Sequence, residues 1–171
     1  MTLGGPQVLA LALAILRLAE LLWARRNTRR LRARGALEIG AGHYPVIVAF
    51  HAAWLAALFL LPADAPLVWP ALVLLLLLLV LRAWTLASLG ERWTTRILVL
   101  PESQLVRRGP YRLLRHPNYL VVVLEVATGP LVFGAWGTAL VFSLLHLPIV
   151  LWRIRIEEQG LHQALPGSTP P

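Results

Sequence analysis

The chain of 171 residues contains no cysteine, and all 16 of its basic residues are arginines. The lack of cysteine excludes disulfides, thiolate nucleophiles and cysteine-ligated metals. The five histidines show no metal-ligand spacing, so we expect no metal site. The formal net charge of +8 is compatible with nucleic-acid binding. Arginines that flank apolar runs are nevertheless more typical of contacts with anionic lipid head groups. We therefore expect membrane lipids as partners and no nucleic acid.

Long apolar runs dominate the sequence, which is 58% hydrophobic with a mean hydropathy of +0.69. A spanning helix needs about 20 mainly apolar residues. The first run has no basic segment before it, so we expect a retained span and not a signal peptide. Glycines and prolines near residue 130 break the last run into a helical hairpin. The sequence predicts an all-α integral membrane protein with five transmembrane helices, at about residues 3–24, 43–62, 66–89, 118–133 and 136–156.

The arginines predict how these spans are oriented. They cluster after the first span, between the third and fourth, and at the end of the fifth, whereas the loops 62–66 and 134–136 contain none. Five spans with the N-terminus outside put every cluster in the cytoplasm, as the positive-inside rule requires, and four spans do not. We expect residues 1–158 to form one domain with a cytoplasmic C-terminus, and residues 159–171 to be a disordered tail.

A polar motif precedes the fourth predicted span. Pro117 suits the first position of a helix, where its missing N–H costs nothing, and His116 before it is biased to extended geometry. We expect free backbone N–H groups at residues 118–120. Together with Arg115 and His116, they would form a site for a carboxylate or phosphate. A capped helix start with arginines that bind head groups explains these residues equally well.

Two glutamates, Glu157 and Glu158, end the fifth predicted span shortly after Arg153. Carboxylates are disfavoured at the negative end of a helix dipole, and Arg153 is a weak i,i+4 partner in this order. A cationic group from elsewhere in the chain, or a cationic ligand, would explain the glutamates better. The alternative is a pair of solvated charges.

Polar side chains also occur inside the predicted spans, where they are costly and often functional. We predict that Glu125 faces the bundle interior and pairs with Arg82 or His146. A purely structural lock between helices is the alternative. Arg17 and Glu20 lie one turn apart in the first span, and we predict that they form a snorkelling pair.

The C-terminal half carries an ordered set of motifs: Gly-Pro-Tyr, then Arg-His-Pro-x-Tyr, then a helical hairpin, then Glu-Glu. Over roughly residues 85–162 it resembles the isoprenylcysteine carboxyl methyltransferase family, which is related to membrane phospholipid N-methyltransferases. Residues 92–96 and 115–119, with Glu125, look more like a bacterial branch associated with methylating alkylpyrones or alkylresorcinols from type III polyketide synthases. The resemblance implies an S-adenosylmethionine-dependent methyltransferase of the bacterial inner membrane.

The resemblance also implies site residues. Arg153 would hold the anionic group of the acceptor. Apart from the resemblance, a phenolic acceptor would benefit from a general base, for which Glu125 and His146 are the candidates. The carboxylate of the cofactor suits Arg115 and His116, and its cations suit glutamates and aromatic faces. The expected cofactor-binding residues are Ser103, Gln104, Leu105, Val106, Tyr111, Arg115, His116, Pro117, Asn118, Tyr119, Glu157 and Glu158.

Three lipophilic acceptors that enter from the bilayer compete. They are a type III polyketide product methylated on oxygen, a prenylated cysteine carboxylate and a phospholipid amine. The branch-like residues favour the first. A non-enzymatic membrane carrier or assembly protein would explain the spans and the intramembrane charges, but not the order of the motifs.

The role of Glu125 can be tested by replacing it with glutamine. If Glu125 takes part in the chemistry, Glu125→Gln lowers activity more than the yield of folded protein. If Glu125 is only a lock between helices, both fall equally.

Overall fold

A computed structural model describes residues 3–100 and 106–164, with side chains as far as residue 162. Helices dominate this part of the chain, as predicted, and two short antiparallel strands that the sequence did not predict form a ribbon beside them. The elements in chain order are α1 (Gly5–Ala33), β1 (Leu37–Glu38), α2 (Tyr44–Phe59), α3 (Trp69–Leu89), β2 (Leu98–Val99), α4 (Pro117–Leu131) and α5 (Trp136–Ala164).

Four helical segments of the described chain are long and apolar enough to cross a membrane. They correspond to the first, second, third and fifth predicted spans. The helix α4, which corresponds to the fourth predicted span, has only 15 residues. A helix that crosses a bilayer usually needs about 20 residues. The qualifying segments are Gly5–Ala33, Ala41–Phe59, Trp69–Arg92 and Trp136–His162.

Two helices continue well beyond the apolar stretches that predicted them. The first predicted span ends at residue 24, but α1 continues to Ala33. The fifth predicted span ends at residue 156, but α5 continues to Ala164. Residues 159–164, which we assigned to a disordered tail, are therefore helical, and residues 165–171 lie outside the described part. Hydropathy missed both extensions because they are rich in charged and polar residues.

The predicted hairpin at the end of the chain is formed by α4 and α5. Gly134 lies in the turn between them with a φ of 64°, a conformation that glycine adopts without steric cost. The neighbouring Gly129 lies inside α4, where an added Cβ would come within 2.7 Å of Cζ2 of Trp54. The indole Nε1 of Trp54 donates to the carbonyl of Val126 at 3.1 Å. Gly129 thus allows α2 and α4 to pack closely.

Four charged side chains from α1, α3 and α4 form a cluster between the helices, which we call the charge quartet. Arg17 contacts both Glu20 and Glu125 at 2.7 Å. Arg82 donates to both carboxylate oxygens of Glu20 at 2.7 Å, and its Nη1 lies 3.5 Å from Oε2 of Glu125. Two positive and two negative charges therefore balance inside the bundle.

The charge quartet confirms two predicted ion pairs, Glu125 with Arg82 and Arg17 with Glu20, and corrects the snorkelling expected of the second. Glu125 is only 2% exposed and lies beside Arg82, as predicted. His146 does not join it, because its ring stacks on Phe50 with 4.7 Å between the ring centroids. Arg17 and Glu20 form an ion pair as expected, but they do not snorkel, since both reach inward to charges on other helices.

We predict that Arg82→Leu destabilises the protein much more than Arg30→Leu. Removing one partner from a buried ion cluster leaves uncompensated charge and costs about 3 kcal/mol or more. Arg30 pairs with Glu91 at 3.4 Å, but both side chains are largely exposed, and such pairs contribute about 0–1 kcal/mol. Thermal unfolding of the two variants in detergent micelles measures the difference. Equal shifts in melting temperature would show that the charge quartet does not stabilise the bundle.

Candidate functional site

Two adjoining cavities lie where α4 begins and α5 continues past it. The larger has a volume of about 630 Å³ and the smaller of about 140 Å³; we call them the large cavity and the small chamber. Small-molecule sites usually measure roughly 300–1,000 Å³, so the large cavity has room for a ligand. The residues that line both include Tyr111, Arg115, His116 and Glu157, so the two spaces form one site.

The loop before α4 is fastened to the end of α3. Gly109 has a φ of 57° and sits against α3 so closely that an added Cβ would lie 2.1 Å from Oγ of Ser88. Nε of Arg108 donates to the Ser88 carbonyl at 2.6 Å. This close approach explains why a glycine precedes Pro110 and Tyr111, and it places Tyr111 in the wall of both cavities.

The start of α4 differs in part from the prediction. Pro117 is its first residue and His116 is not helical, as expected. The N–H groups of Tyr119 and Leu120, however, both donate to the carbonyl of His116, at 3.1 and 3.3 Å. These two groups are not free for an anion, because the helix closes its own first turn. Of the predicted anion site, the side chains of Arg115 and His116 remain, in the wall of both cavities.

Arg153 is the centre of a hydrogen-bond network in the wall of the small chamber. Its Nε donates to the Tyr119 hydroxyl at 2.9 Å, and its Nη2 donates to the Thr95 carbonyl at 2.9 Å. Its Nη1 lies 3.2 Å from Nε2 of His43. The Tyr119 hydroxyl in turn donates to the Glu157 carboxylate. All three nitrogens of the guanidinium thus have a partner.

Aromatic and acidic groups stand together on the other side of this network. The rings of His116 and Tyr119 stack with 5.4 Å between their centroids. Nε2 of His116 lies 3.4 Å from a carboxylate oxygen of Glu158, which lines the large cavity. The wall therefore offers aromatic faces and carboxylates within a few ångströms of arginines, which suits a ligand that carries both signs of charge.

Tyr111, in the wall of both cavities, and Glu38, in the ribbon, have shifted pKa values. Burial raises the pKa of the Tyr111 hydroxyl, and the negative charge of Glu157 raises it further, although Arg82 opposes them. Tyr111 therefore stays protonated and can donate a hydrogen bond. Burial would also raise the pKa of Glu38, but hydrogen bonds from Arg96 and Arg32 outweigh burial and lower it. Glu38 therefore stays charged and holds the ribbon to Arg96.

Most of the predicted site residues line these cavities; Pro117, Glu125 and His146 do not. Pro117 is buried at the start of α4. Glu125 and His146 line neither the large cavity nor the small chamber. Glu125 belongs to the charge quartet, which fits the structural lock, so we expect Glu125→Gln to lower folded yield and activity together. Ser103, Gln104 and Leu105 lie outside the described residues. The predicted residues that line the cavities are Val106, Tyr111, Arg115, His116, Asn118, Tyr119, Arg153, Glu157 and Glu158.

Two residues that contact Arg153 were missed. Thr95 binds it through a backbone carbonyl, and its only signal was its place in the segment 92–96 that resembles the bacterial branch. His43 belongs to no motif, and a lone histidine beside an apolar run gives no reason to expect a polar contact across 110 positions.

A bundle of long apolar helices with a polar cavity at one end is the architecture of an integral membrane protein. The family model of the isoprenylcysteine carboxyl methyltransferase (ICMT) family matches residues 71–163, more than half of the chain. The chain belongs to this family, whose members are membrane methyltransferases that use S-adenosylmethionine. The resemblance carried by the sequence motifs is thereby confirmed.

Two bacterial proteins are similar to this chain over most of its length. The uncharacterized protein YpbQ of Bacillus subtilis (strain 168) is 37% identical over 156 residues, which cover 88% of this chain and 93% of YpbQ. An uncharacterized protein of Haemophilus influenzae is 29% identical over 149 residues, which cover 84% of this chain and 87% of that protein. No solved structure matches. The names of these relatives say nothing about an acceptor.

We predict that Tyr119→Phe weakens binding of S-adenosylhomocysteine by roughly tenfold, because it removes the hydroxyl that joins Arg153 to Glu157. Tyr44→Phe is the control. The Tyr44 hydroxyl accepts a bond from Thr95 at 3.3 Å, and Tyr44 lines neither cavity. Isothermal titration in detergent measures both affinities. An unchanged affinity in Tyr119→Phe would remove Tyr119 and Glu157 from the expected cofactor site.

Proposed function

We propose that this protein transfers a methyl group from S-adenosylmethionine to an oxygen of a lipophilic acceptor. One observation carries the proposal. The motif residues of the family-matched half, among them Tyr111, His116, Tyr119 and Glu157, come from a loop and two helices and line one connected site. A non-enzymatic carrier would need no such convergence.

The residues of the large cavity fit the cofactor chemically. The amino and sulfonium groups of the cofactor are cations, which suit the carboxylates of Glu157 and Glu158 and the face of Tyr111. The face of Tyr119 lies in the adjoining small chamber. The carboxylate of the cofactor suits Arg115 beside these groups. The volume of about 630 Å³ exceeds what a single polar head group needs. Opposite charges placed a few ångströms apart favour a zwitterionic ligand over a simple anion.

When bound, S-adenosylmethionine supplies an electrophilic methyl group, and transfer to an acceptor oxygen leaves S-adenosylhomocysteine. The protein's task in such a reaction is mainly proximity and alignment. We assign the alignment of the acceptor to Arg153. A guanidinium has five N–H donors, and the bonds to His43, Thr95 and Tyr119 use three of them. The other two donors have no partner among residues 3–100 and 106–162, and we assign them to an acceptor oxygen.

Charge favours an acidic oxygen over an amine as the acceptor. The described residues that line the small chamber include Arg96, Arg115 and Arg153, against the carboxylate of Glu157. An amine or ammonium group would meet this excess of positive charge, whereas a carboxylate or enolate would be stabilised. The family match fits a prenylated cysteine carboxylate, and the comparisons give no preference to a polyketide product. Both remain candidate acceptors, and the phospholipid amine is the weaker alternative.

We further propose that α4 is a fifth span despite its length. The loop before α4 and the end of α5 line the same cavity, and the turn at Gly134 lies at the opposite end of both helices. Each helix therefore runs from one face of the bundle to the other. Arg34, after α1, also lines the large cavity. The arginine clusters thus converge at one face, which we assign to the cytoplasm, with the N-terminus outside in the bacterial inner membrane.

The direct test is binding followed by transfer. The purified protein should bind S-adenosylhomocysteine, and it should move a radiolabelled methyl group to a lipophilic oxygen acceptor. Three acceptors are compared: a 5-alkylresorcinol or alkylpyrone, N-acetyl-S-farnesylcysteine, and phosphatidylethanolamine. Mass identification of the labelled product distinguishes them. No binding at millimolar cofactor would overturn the enzyme proposal and favour a carrier or assembly protein.

Arg153→Ala separates an oxygen acceptor from an amine. Loss of a charge-assisted hydrogen bond lowers kcat/KM for an acidic oxygen acceptor by roughly 10- to 100-fold. An amine acceptor does not need the guanidinium and should still be methylated well. Arg155→Ala is the matched control, because Arg155 is exposed two positions further along α5 and lines neither the large cavity nor the small chamber. Full activity of Arg153→Ala on an oxygen acceptor would remove Arg153 from acceptor binding.

A further inference from the structure

Residues 37–43, which we call the strap, cross the C-terminal end of α5. The amide of Ile39 donates to the carbonyl of Ile97 at 3.0 Å and continues the ribbon. An added Cβ at Gly160 would come within 2.8 Å of Cγ2 of Ile39, and one at Gly40 within 2.4 Å of Cγ2 of Ile156. The backbone of Gly160 in α5 therefore packs against the side chain of Ile39, and the backbone of Gly40 in the strap packs against the side chain of Ile156. The strap lies outside the family-matched residues 71–163.

The last residue of the strap, His43, is held in one protonation state by its two partners. It is 2% exposed, and its Nε2 lies 3.2 Å from Nη1 of Arg153. A guanidinium has only donors, so Nε2 must be the hydrogen-bond acceptor. The proton of the neutral ring is then on Nδ1, which donates to the carbonyl of Gly40. The same turn that brings the strap to α5 thus fixes the tautomer of His43.

The ring of His43 is also fixed in orientation. It meets the indole of Trp152 edge to face, with 6.1 Å between the ring centroids. A buried ring with a backbone partner on one side and an aromatic neighbour on the other cannot turn freely. His43 therefore presents its lone pair to Arg153 at a defined angle, which a solvated acceptor would not do.

The position of Arg153 depends on three separate elements. The Tyr119 hydroxyl comes from α4, the Thr95 carbonyl from the segment before β2, and the His43 ring from the strap. An arginine side chain is long and loses considerable rotamer freedom when it is fixed. Among the described residues, His43 is the partner of Nη1, so the direction of this part of the guanidinium depends on the strap.

We propose that His43 is a positioning residue, which orients the guanidinium of Arg153 toward the acceptor oxygen. The N-terminal part of the chain thus contributes to how the acceptor is held, although the family-matched half supplies the cofactor residues. The inference rests on the proposed function, because the contact between Arg153 and the acceptor is part of that function.

The experiment compares His43→Gln with His43→Asn. The amide oxygen of glutamine reaches the place of Nε2 and can accept from Arg153, whereas asparagine ends near the place of Nδ1. With whichever probe the wild type methylates, the alkylresorcinol or N-acetyl-S-farnesylcysteine, His43→Asn should lower kcat/KM by about tenfold. His43→Gln should recover most of the rate. Binding of S-adenosylhomocysteine should stay within about twofold of wild type in both, since the bond between Tyr119 and Glu157 remains.

Two glycines of the strap form a second, matched comparison. Gly40→Ala places a Cβ 2.4 Å from Ile156 at a φ of 60°, so the strap must move and Nε2 of His43 with it. Gly42→Ala adds a Cβ that meets nothing within 4 Å. Gly40→Ala should lower the rate as His43→Asn does, and Gly42→Ala should leave it unchanged.

Four results would overturn the inference. Wild-type rates in His43→Asn would show that Arg153 does not need His43, while the proposed function would stand. Equal losses in His43→Asn and His43→Gln, or a parallel loss of S-adenosylhomocysteine binding, would show that His43 is only structural. A wild-type protein that binds the cofactor product but methylates none of the probes would contradict the acceptor role of Arg153, and with it the role of His43. Absence of cofactor binding in the wild type would overturn the proposed function itself.

Discussion

A hydrocarbon layer does not tolerate single charges, and this constraint decides how α1, α3 and α4 meet. Each member of the charge quartet would be costly if it stood alone against lipid. Arg17 and Arg82 share Glu20 and Glu125, so that the cluster has no formal net charge. Such a closed set fixes the rotation of three helices about their axes, because a small turn of any one would separate two oppositely charged groups. The apolar contacts around Trp54 and Leu13 fill the remaining space but do not select one rotation as strongly.

The second polar network, around Arg153, differs from the charge quartet in one respect that matters for function. The charge quartet is balanced internally and lines neither cavity. The Arg153 network opens onto the small chamber, and within the described part of the chain two of its guanidinium N–H donors have no hydrogen-bond partner. The two are nevertheless connected, since the charge of Arg82 acts on Tyr111 in the wall of the site. The bundle therefore holds a closed, neutral cluster in its interior and an open network, which faces the small chamber, at its end. This separation of structural from ligand-directed charge argues for Arg153, and against Glu125, as the group that meets an acceptor.

Sequence reasoning succeeded where a single segment carries its own signal. The run of apolar residues in α3 and the proline at the start of α4 were placed within a few residues. It failed where a contact depends on how distant helices face each other. The pairing of Arg82 with Glu125 was expected, but the contact from Arg17 to Glu125, across 108 positions, needs the rotation of α1, which a run of leucines does not specify. His43 was missed for the same reason. The ribbon was missed because strands of two residues have no period to detect.

The lengths of the last two helices explain why the site lies where it does. At 1.5 Å per residue, α4 is about 22 Å long and α5 about 44 Å; α4 ends at the turn around Gly134, and α5 begins there. The surplus of α5 therefore extends past the start of α4 and leaves a notch beside residues 153–162, which the loop 106–116 and the ribbon enclose. A bilayer core is about 30 Å thick, so the start of a helix as short as α4 lies near or below the level of the head groups. In such a notch a charged, water-soluble cofactor could reach a lipid-borne acceptor without entering the hydrocarbon layer, and the acceptor would not have to leave the bilayer. The length of α5 creates this notch, and Arg153 and Glu157 project from the part of α5 that borders it.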